Sequence, residues 1–193
     1  MSKRIIESYK KKLAAEEGYI VSQRAGLRIA LCYPNTHSIG MANLGLHTMY
    51  ELFNSIPDVV CERVFLPDKA EMAEYEKTGT PLMSLETQSR VKSFDVVAFS
   101  ISFETDYLNM AKMLQLADIP VWSAEREEHH PLVIMGGAAS FLNPEPIADF
   151  TDVIAVGEGE ILAFQLVDAI VDNVSKDEIL RENRTRFLRP IAL

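Results

Sequence analysis

The sequence has few cysteines and no long apolar segment, and these absences exclude several classes of protein. Its two cysteines, Cys32 and Cys61, are too few and too far apart to hold an iron–sulfur cluster or a structural zinc ion by themselves. Both lie in apolar, strand-like segments, which favours buried thiols over a disulfide. No apolar run approaches the ~18 residues that a membrane-spanning helix needs, and the charged amino terminus does not resemble a secretory signal. We therefore expect a cytoplasmic protein that is not inserted in a membrane.

Positive charge is also scarce. The chain has 19 Lys and Arg against 28 Asp and Glu, a formal net charge of −9. Proteins that bind a nucleic-acid backbone usually carry a basic face, so nucleic-acid binding is not expected of this domain. The contents of 48% hydrophobic and 24% charged residues are typical of a globular protein. A length of 193 residues suits one domain with a substantial core.

Sequence motifs for nucleotide binding and covalent catalysis are missing too. The loop after the first predicted strand has no G-x-G-x-x-G sequence, and no P-loop lysine pattern occurs. No pair of nucleophile and base is visible. An autonomous flavodoxin-like enzyme that uses a nucleotide or flavin is therefore the least favoured of three interpretations, and we expect no activity from this chain alone.

Short apolar segments alternate with helical patterns along the chain, which predicts a doubly wound parallel sheet. The predicted strands are 27–33, 59–65, 94–102, 132–135 and 152–156, and the predicted helices are 2–17, 41–54, 69–77, 105–117 and 161–174. We expect a five-stranded α/β fold of the flavodoxin or Rossmann type, with added helices at both ends. The chain then divides into an N-terminal helix and connection (1–25), an α/β domain (26–174) and a helical linker (175–193).

Small residues follow the predicted strands, where ligands bind in folds of this kind. Gly136 and Gly137 end the fourth strand, and Gly157-Glu158-Gly159-Glu160 ends the fifth. Without a Cβ atom, the backbone can turn sharply and approach a bulky ligand closely, although Gly136-Gly137 is also compatible with a simple tight turn. The same edge has few catalytic groups, which favours holding a large ligand over breaking bonds in a small one.

Several segments resemble a known family. Asn35-Thr36-His37-Ser38-Ile39-Gly40 resembles the Asp-x-His-x-x-Gly loop of cobalamin-binding domains, with asparagine in place of aspartate. Residues 33–54, 99–110 and 136–160, taken in order, are similar to the amino-terminal domain of cobalamin-binding-type radical SAM proteins. These are large iron–sulfur oxidoreductases in which this domain precedes a catalytic barrel.

The resemblance implies a cofactor site at the carboxyl edge of the sheet. It implies that His37 is the lower ligand to cobalt and that Ser100, Ser102, Gly136 and Gly137 line a tunnel for the nucleotide tail. The other residues expected to contact a corrinoid are Asn35, Gly40, Asn43, Gly45, Ala138, Gly157 and Glu158. Asn35 can hydrogen-bond His37 but lacks the negative charge that would strengthen the imidazole as a ligand. A local role for His37, in capping a helix or in hydrogen bonding, is the alternative.

The leading interpretation is thus an accessory cobalamin-binding-like domain of a radical SAM iron–sulfur oxidoreductase. Its partner would be the catalytic domain of the parent chain, and the 4Fe–4S cluster and S-adenosylmethionine would belong to that absent domain, because the Cys-x-x-x-Cys-x-x-Cys motif does not occur here. The alternative is a docking or scaffold domain of the same kind of protein without a cofactor. Bulky Met41 and Phe103 beside the expected tunnel favour that alternative.

Overall fold

A computed structural model of the protein describes residues 2–20 and 26–171 and contains a five-stranded, all-parallel sheet flanked by helices. The strands are β1 (Leu27–Tyr33), β2 (Val59–Phe65), β3 (Val96–Ser100), β4 (Leu132–Gly136) and β5 (Val153–Ile154). The helices are α1 (Lys3–Ala14), α2 (His37–Gly40), α3 (Leu44–Ser55), α4 (Lys69–Thr78), α5 (Tyr107–Leu116), α6 (Ala138–Leu142) and α7 (Gly159–Val171). The predicted fold class is confirmed, while the predicted linker at 175–193 lies outside the described residues.

The strand order is β2-β1-β3-β4-β5, so the direction of winding reverses between β1 and β3. In sheets of this order, ligands bind outside the carboxyl ends of the strands near the reversal. The loops that follow β1, β3, β4 and β5 therefore meet at one edge of the sheet. We call this edge the rim.

The register places one row of side chains across the whole sheet. Leu31 pairs with Arg63 on one side and with Ala98 on the other, and Ala98 pairs with Ile134, which pairs with Val153. Paired residues of neighbouring strands point to the same face of a sheet. This face is the one covered by α3 and α7, which pack against each other.

Helix boundaries follow from local capping. The Asn43 side chain accepts a hydrogen bond from the backbone N–H of Leu46 and so begins α3. Asp68 and Glu71 form a reciprocal capping box at the start of α4, and Gly79 ends that helix in the left-handed conformation. The short helix α2 was not predicted, because four residues are too few to show a helical period.

The N-terminal segment links α4 to the opposite face of the sheet. The helix α1 packs on α4, where the hydroxyl groups of Tyr9 and Tyr75 lie 3.0 Å apart. Further along, the backbone N–H of Ile20 donates to the Tyr50 hydroxyl of α3. The predicted amphipathic helix is confirmed, although Ile5 rather than Ile6 is the isoleucine buried with Tyr9 and Leu13.

The strands β3 and β5 are shorter than predicted. The strand β5 has only two ladder residues rather than five. The edge strand β2 is buried along its whole length, because the segment that follows α4 covers its outer side. There the Leu85 N–H donates to the Arg63 carbonyl, at 2.8 Å. The described ranges contain no helix that is both long and apolar enough to cross a bilayer.

Candidate functional site

A pocket with a volume of about 410 Å³ lies between the sheet and the helices α3 and α7, and it reaches the rim. Its base is the row Leu31, Ala98, Ile134 and Val153. The helices supply Leu44, Gly45, Thr48, Met49 and Phe53 on one side and Gly159, Glu160, Leu162, Ala163 and Leu166 on the other. Pockets of 300–1,000 Å³ with mostly apolar linings are typical of small-molecule sites.

Small side chains at successive rows of the sheet create this pocket. Ala98 lies in the base row, and the next row toward the rim pairs Ser100 with Gly136. Ala155 lies beside Gly136, since a Cβ atom on Gly136 would be 3.8 Å from the Ala155 Cβ. Leucine or isoleucine at these positions would fill the space under α3 and α7.

Gly137 fixes the loop that closes one end of the pocket. Its φ angle is +100°, and a Cβ atom there would lie 2.6 Å from the backbone oxygen of Ile101. The Ile101 N–H bonds to the Gly136 carbonyl, and the Ala139 N–H bonds to the Ile101 carbonyl. The loops after β3 and β4 are therefore in backbone contact, and Gly136-Gly137 both makes the sharp turn and lines the pocket.

Four predicted site residues lie near the point between β1 and β3 where the direction of winding reverses. Two of them line the pocket, and two connect neighbouring loops. Gly45 and Ser100 line the pocket. Asn43 donates from Nδ2 to the Ser102 hydroxyl at 3.2 Å, while its Oδ1 caps α3. Asn43 and Ser102 thus hold the loop after β1 to the loop after β3, beside the pocket rather than in its lining.

His37 lies on the other side of the rim and already has a partner. Its Nε2 is 2.7 Å from the Glu16 carboxylate of the N-terminal segment, and its ring packs edge-on against Phe65. The same carboxylate binds the buried guanidinium of Arg63 at 2.7 Å. His37 does not line the pocket, so these contacts match the local hydrogen-bonding role.

Asn35 does not hydrogen-bond His37, as the sequence suggested it could. Its Oδ1 accepts from the Thr36 N–H, and its Nδ2 lies 3.5 Å from Oδ1 of Asp106. Asp106 is buried, and its Oδ2 has no hydrogen-bond partner among the described residues. Removal of this carboxyl group from water raises its pKa.

The remaining predicted residues occupy different environments. Gly40 is buried, and a Cβ atom there would lie 2.4 Å from the Phe65 ring, so packing requires this glycine. Gly157 lines the pocket. Ala138 and Glu158 are exposed at the starts of α6 and α7 and are not part of the lining.

The bulky residues expected beside the tunnel do not obstruct the pocket. Phe103 is 67% exposed, and the Met41 sulfur lies 3.2 Å from Nη1 of Arg63. Neither residue lines the pocket. Their size therefore gives no evidence that the pocket is filled.

Sequence reasoning missed a buried ion network next to the site. Arg63, in the middle of β2, is 2% exposed and binds Glu86 at 2.7 Å as well as Glu16, and it lies over the Tyr50 ring.

Burial raises the pKa of the Cys32 and Cys61 thiols, as expected for inert cysteines. Within the described residues, no three side chains of His, Cys, Asp and Glu are grouped to hold a metal ion.

Exposed apolar side chains are concentrated around the pocket mouth. Among the described residues, nine of the twelve exposed large hydrophobic side chains lie in rim loops or in the first two turns of the helices that begin there. These nine, which we call the apolar rim, are Ile39, Leu44, Phe103, Leu108, Phe141, Leu142, Val156, Ile161 and Phe164. Exposed apolar side chains gathered in one region are typical of contact sites for a ligand or another protein.

The fold and the pocket define a flavodoxin-like α/β domain with an apolar pocket that opens at the carboxyl edge of its sheet. Comparison with known proteins identifies the family. The family model described as "radical SAM proteins, N-terminal" matches residues 45–192. The chain belongs to this family. It is thus an accessory N-terminal domain of the radical SAM kind.

A curated relative is much longer than this chain. The uncharacterized protein MJ0966 of Methanocaldococcus jannaschii is 24% identical over 132 residues, which cover 68% of this chain and 24% of the relative. The chain therefore spans about a quarter of the length of that relative.

Proposed function

We propose that this domain binds a corrinoid at the rim and inserts the nucleotide end of that cofactor into the pocket between the sheet, α3 and α7. The observation that carries the proposal is the pocket itself, which is apolar, has a volume of about 410 Å³ and opens at the carboxyl edge. The resemblance to cobalamin-binding domains supplies the class of ligand.

The residues around the pocket fit an elongated tail of this kind. The base row and Phe53 offer apolar contact, and Ser100 and Thr48 offer hydroxyl groups. Gly136 and Gly137 keep the mouth free of side chains. When bound, the corrinoid would supply organometallic chemistry to a catalytic domain of the parent protein. This chain's residues would bind it, orient it and exclude water from its tail.

His37 does not fit a ligand role in its present position, because its Nε2 is bonded to Glu16. Cobalt ligation by His37 stays a prediction, and the proposal does not depend on it. The absorbance spectrum of hydroxocobalamin bound to His37→Ala is expected to match the spectrum with the unaltered protein. A spectral change in this variant would restore the ligand role.

Calorimetric titration with hydroxocobalamin tests the main proposal. Gly136 can accept a side chain without a backbone clash, since the nearest atom to a Cβ is 3.8 Å away. Gly136→Leu should fill the pocket and weaken binding at least tenfold. Ala124→Leu adds the same side chain at an exposed position outside the pocket and should leave binding unchanged. Absence of binding by the unaltered chain, or equal binding by both variants, would contradict a tail in this pocket.

A second candidate function is a docking domain without a cofactor, and the apolar rim is the observation that favours it. Such a surface would be covered by the catalytic domain of the parent protein. In the full-length parent protein, Leu44→Ser with Leu108→Ser is expected to loosen that contact, detected as faster proteolysis between the domains. This candidate replaces the first if the rim variants have that effect while no corrinoid binds.

A further inference from the structure

The apolar rim is surrounded by negative charge and lacks positive charge. Its nine side chains lie in four segments that contain no Lys or Arg, although the chain has 19 of these residues. The segments are 34–46, 101–110, 137–148 and 155–164. Along α5, the first Lys is Lys112, one helical turn beyond Leu108. The same segments carry four exposed glutamates, namely Glu104, Glu145, Glu158 and Glu160.

Direct contacts hold these four segments together. The Asn43 side chain donates to the Ser102 hydroxyl at 3.2 Å and so joins the first segment to the second. The Tyr107 hydroxyl donates to the Asn143 carbonyl at 2.7 Å and joins the second to the third. The helix α7, which begins in the fourth segment, packs on α3, which begins in the first. The exposed apolar groups and the glutamates therefore share one end of the molecule.

The four glutamates are not neutralised by cations of the same domain. Their carboxylates form no salt bridge within residues 2–20 and 26–171, whereas the buried carboxylates of Glu86 and Asp152 each pair with an arginine. Negative charge near helix starts is favourable in itself. That effect explains acidic residues at this edge, but it does not explain why exposed apolar side chains accompany them.

An exposed apolar side chain beside a carboxylate suits an arginine or lysine of a partner. Glu104 directly follows Phe103, and Glu160 and Phe164 are four residues apart on one side of α7. The apolar stem of Arg or Lys packs on such a group while its cationic head bonds to the carboxylate. A nucleic acid, an anionic lipid surface or a self-complementary second copy would each bring more negative charge to the rim.

We propose that the rim docks a face of the parent protein, outside this domain, that presents Lys and Arg side chains around an apolar centre. The inference rests on the docking candidate above and adds the chemistry of the partner surface. The matched region makes up 24% of the curated relative, so most of a protein of that kind can supply the partner. Within one chain the effective concentration of a partner is on the order of mM, so individually weak ion pairs are enough to select this face.

Limited proteolysis of the full-length parent protein tests the charge of the partner, because cleavage between domains follows the population in which their contact is open. Glu104→Lys with Glu160→Lys replaces attraction by repulsion and should speed this cleavage about tenfold. Glu104→Gln with Glu160→Gln only removes the attraction and should speed it about threefold. High salt should speed cleavage of the unaltered protein and reduce the difference between it and the lysine variant.

Two exposed glutamates outside the four segments provide the matched control. Glu51→Lys with Glu76→Lys, on α3 and α4, makes the same change in net charge and should leave the cleavage rate within about twofold of the unaltered protein. All four substituted positions are exposed, so both lysine variants should fold normally. Circular dichroism of each variant checks the fold.

Equal cleavage rates of the rim and control lysine variants would overturn the inference. If Leu44→Ser with Leu108→Ser still speeds cleavage in that case, the docking candidate is retained with a partner that is not cationic, and without that effect both end. A dimer of the 193-residue chain that these two serine substitutions dissociate would assign the rim to a second copy and also overturn the inference. Titration of the unaltered chain with hydroxocobalamin decides the corrinoid proposal separately.

Discussion

The two ends of one row across the sheet are built in opposite ways. At the β2 end, Arg63 fills its position completely, paired with Glu86 and stacked over Tyr50. Toward β4 and β5, Ala98 and the neighbouring Gly136 leave space that becomes the pocket. Both ends have the same backbone geometry and lie under helices. This difference shows that the sizes of a few side chains, rather than the fold, determine where space remains between the sheet and the helices.

The largest expected effect comes from breaking the buried ion pair between Arg63 and Glu86 at the β2 end of the row. Arg63→Met leaves the Glu86 carboxylate buried without its partner, and loss of one member of a buried ion pair costs about 3–5 kcal/mol. The free energy of unfolding, measured with urea, should fall by that amount. Lys92→Met breaks the exposed pair with Asp118 and should cost less than about 1 kcal/mol. Similar losses in both variants would show that the Arg63 network contributes no more than a surface pair.

The next largest effect on stability concerns Gly136 and Gly137, the two adjacent glycines that line the pocket. Gly137→Ala places a Cβ atom 2.6 Å from the Ile101 oxygen at a positive φ angle, and such strain costs about 1–3 kcal/mol. Gly136→Ala has no contact closer than 3.8 Å and should change stability by less than about 1 kcal/mol. Urea denaturation of the pair measures both values, and equal losses would contradict the geometry of this turn.

A third prediction compares free space at two alanines in neighbouring strands. Ala98 lines the pocket, so Ala98→Val should be neutral or stabilise the protein by up to about 1 kcal/mol through added apolar burial. Ala30 is fully buried in β1 and lines no pocket, and Ala30→Val should destabilise the protein by about 1–3 kcal/mol. Thermal unfolding distinguishes them. Destabilisation by Ala98→Val as large as that by Ala30→Val would mean that the pocket is closed in solution.

The smallest expected effect depends on pH and concerns Asp106. Burial raises the pKa of this carboxyl group in the folded state above its unfolded value. The protonated form is therefore favoured by folding, and the stability that this group contributes is lost as the pH rises through the folded pKa. Asp106→Asn should thus stabilise the protein by about 1 kcal/mol at pH 7, with a smaller gain near pH 4. Asp118→Asn, at an exposed position, controls for removing one carboxylate, and a gain for Asp106→Asn that is independent of pH would contradict the assignment.

The sequence predicted the architecture well because strand and helix periods are local properties. It also predicted Ser100, Gly136, Gly137 and Gly157 as binding residues, and all four line the pocket, since glycines and serines at strand ends are visible without knowing the packing. Whether they contact a corrinoid stays a prediction. The apolar walls were not predicted, because Phe53 and Leu166 look like any core residues until α3 and α7 are placed.

The Arg63 network was missed for a different physical reason. Charged residues in the middle of a strand usually mark a solvent-exposed face. Here both partners come from distant parts of the chain, Glu86 from 23 and Glu16 from 47 residues away. No local pattern records such a pairing, and the expected interaction between Asn35 and His37 failed because Glu16 takes the imidazole instead.

The helix α7 begins at the rim and ends at the opposite edge of the sheet, where Ile170 lies beside Asp95 and Leu132. It forms one whole wall of the pocket but follows a strand of only two ladder residues. Any sideways shift of this helix changes the width of the space beneath it. A ligand that bound more tightly to one position of this helix would favour that position, and any contact that fixed the helix there would strengthen binding of the ligand by the same free energy.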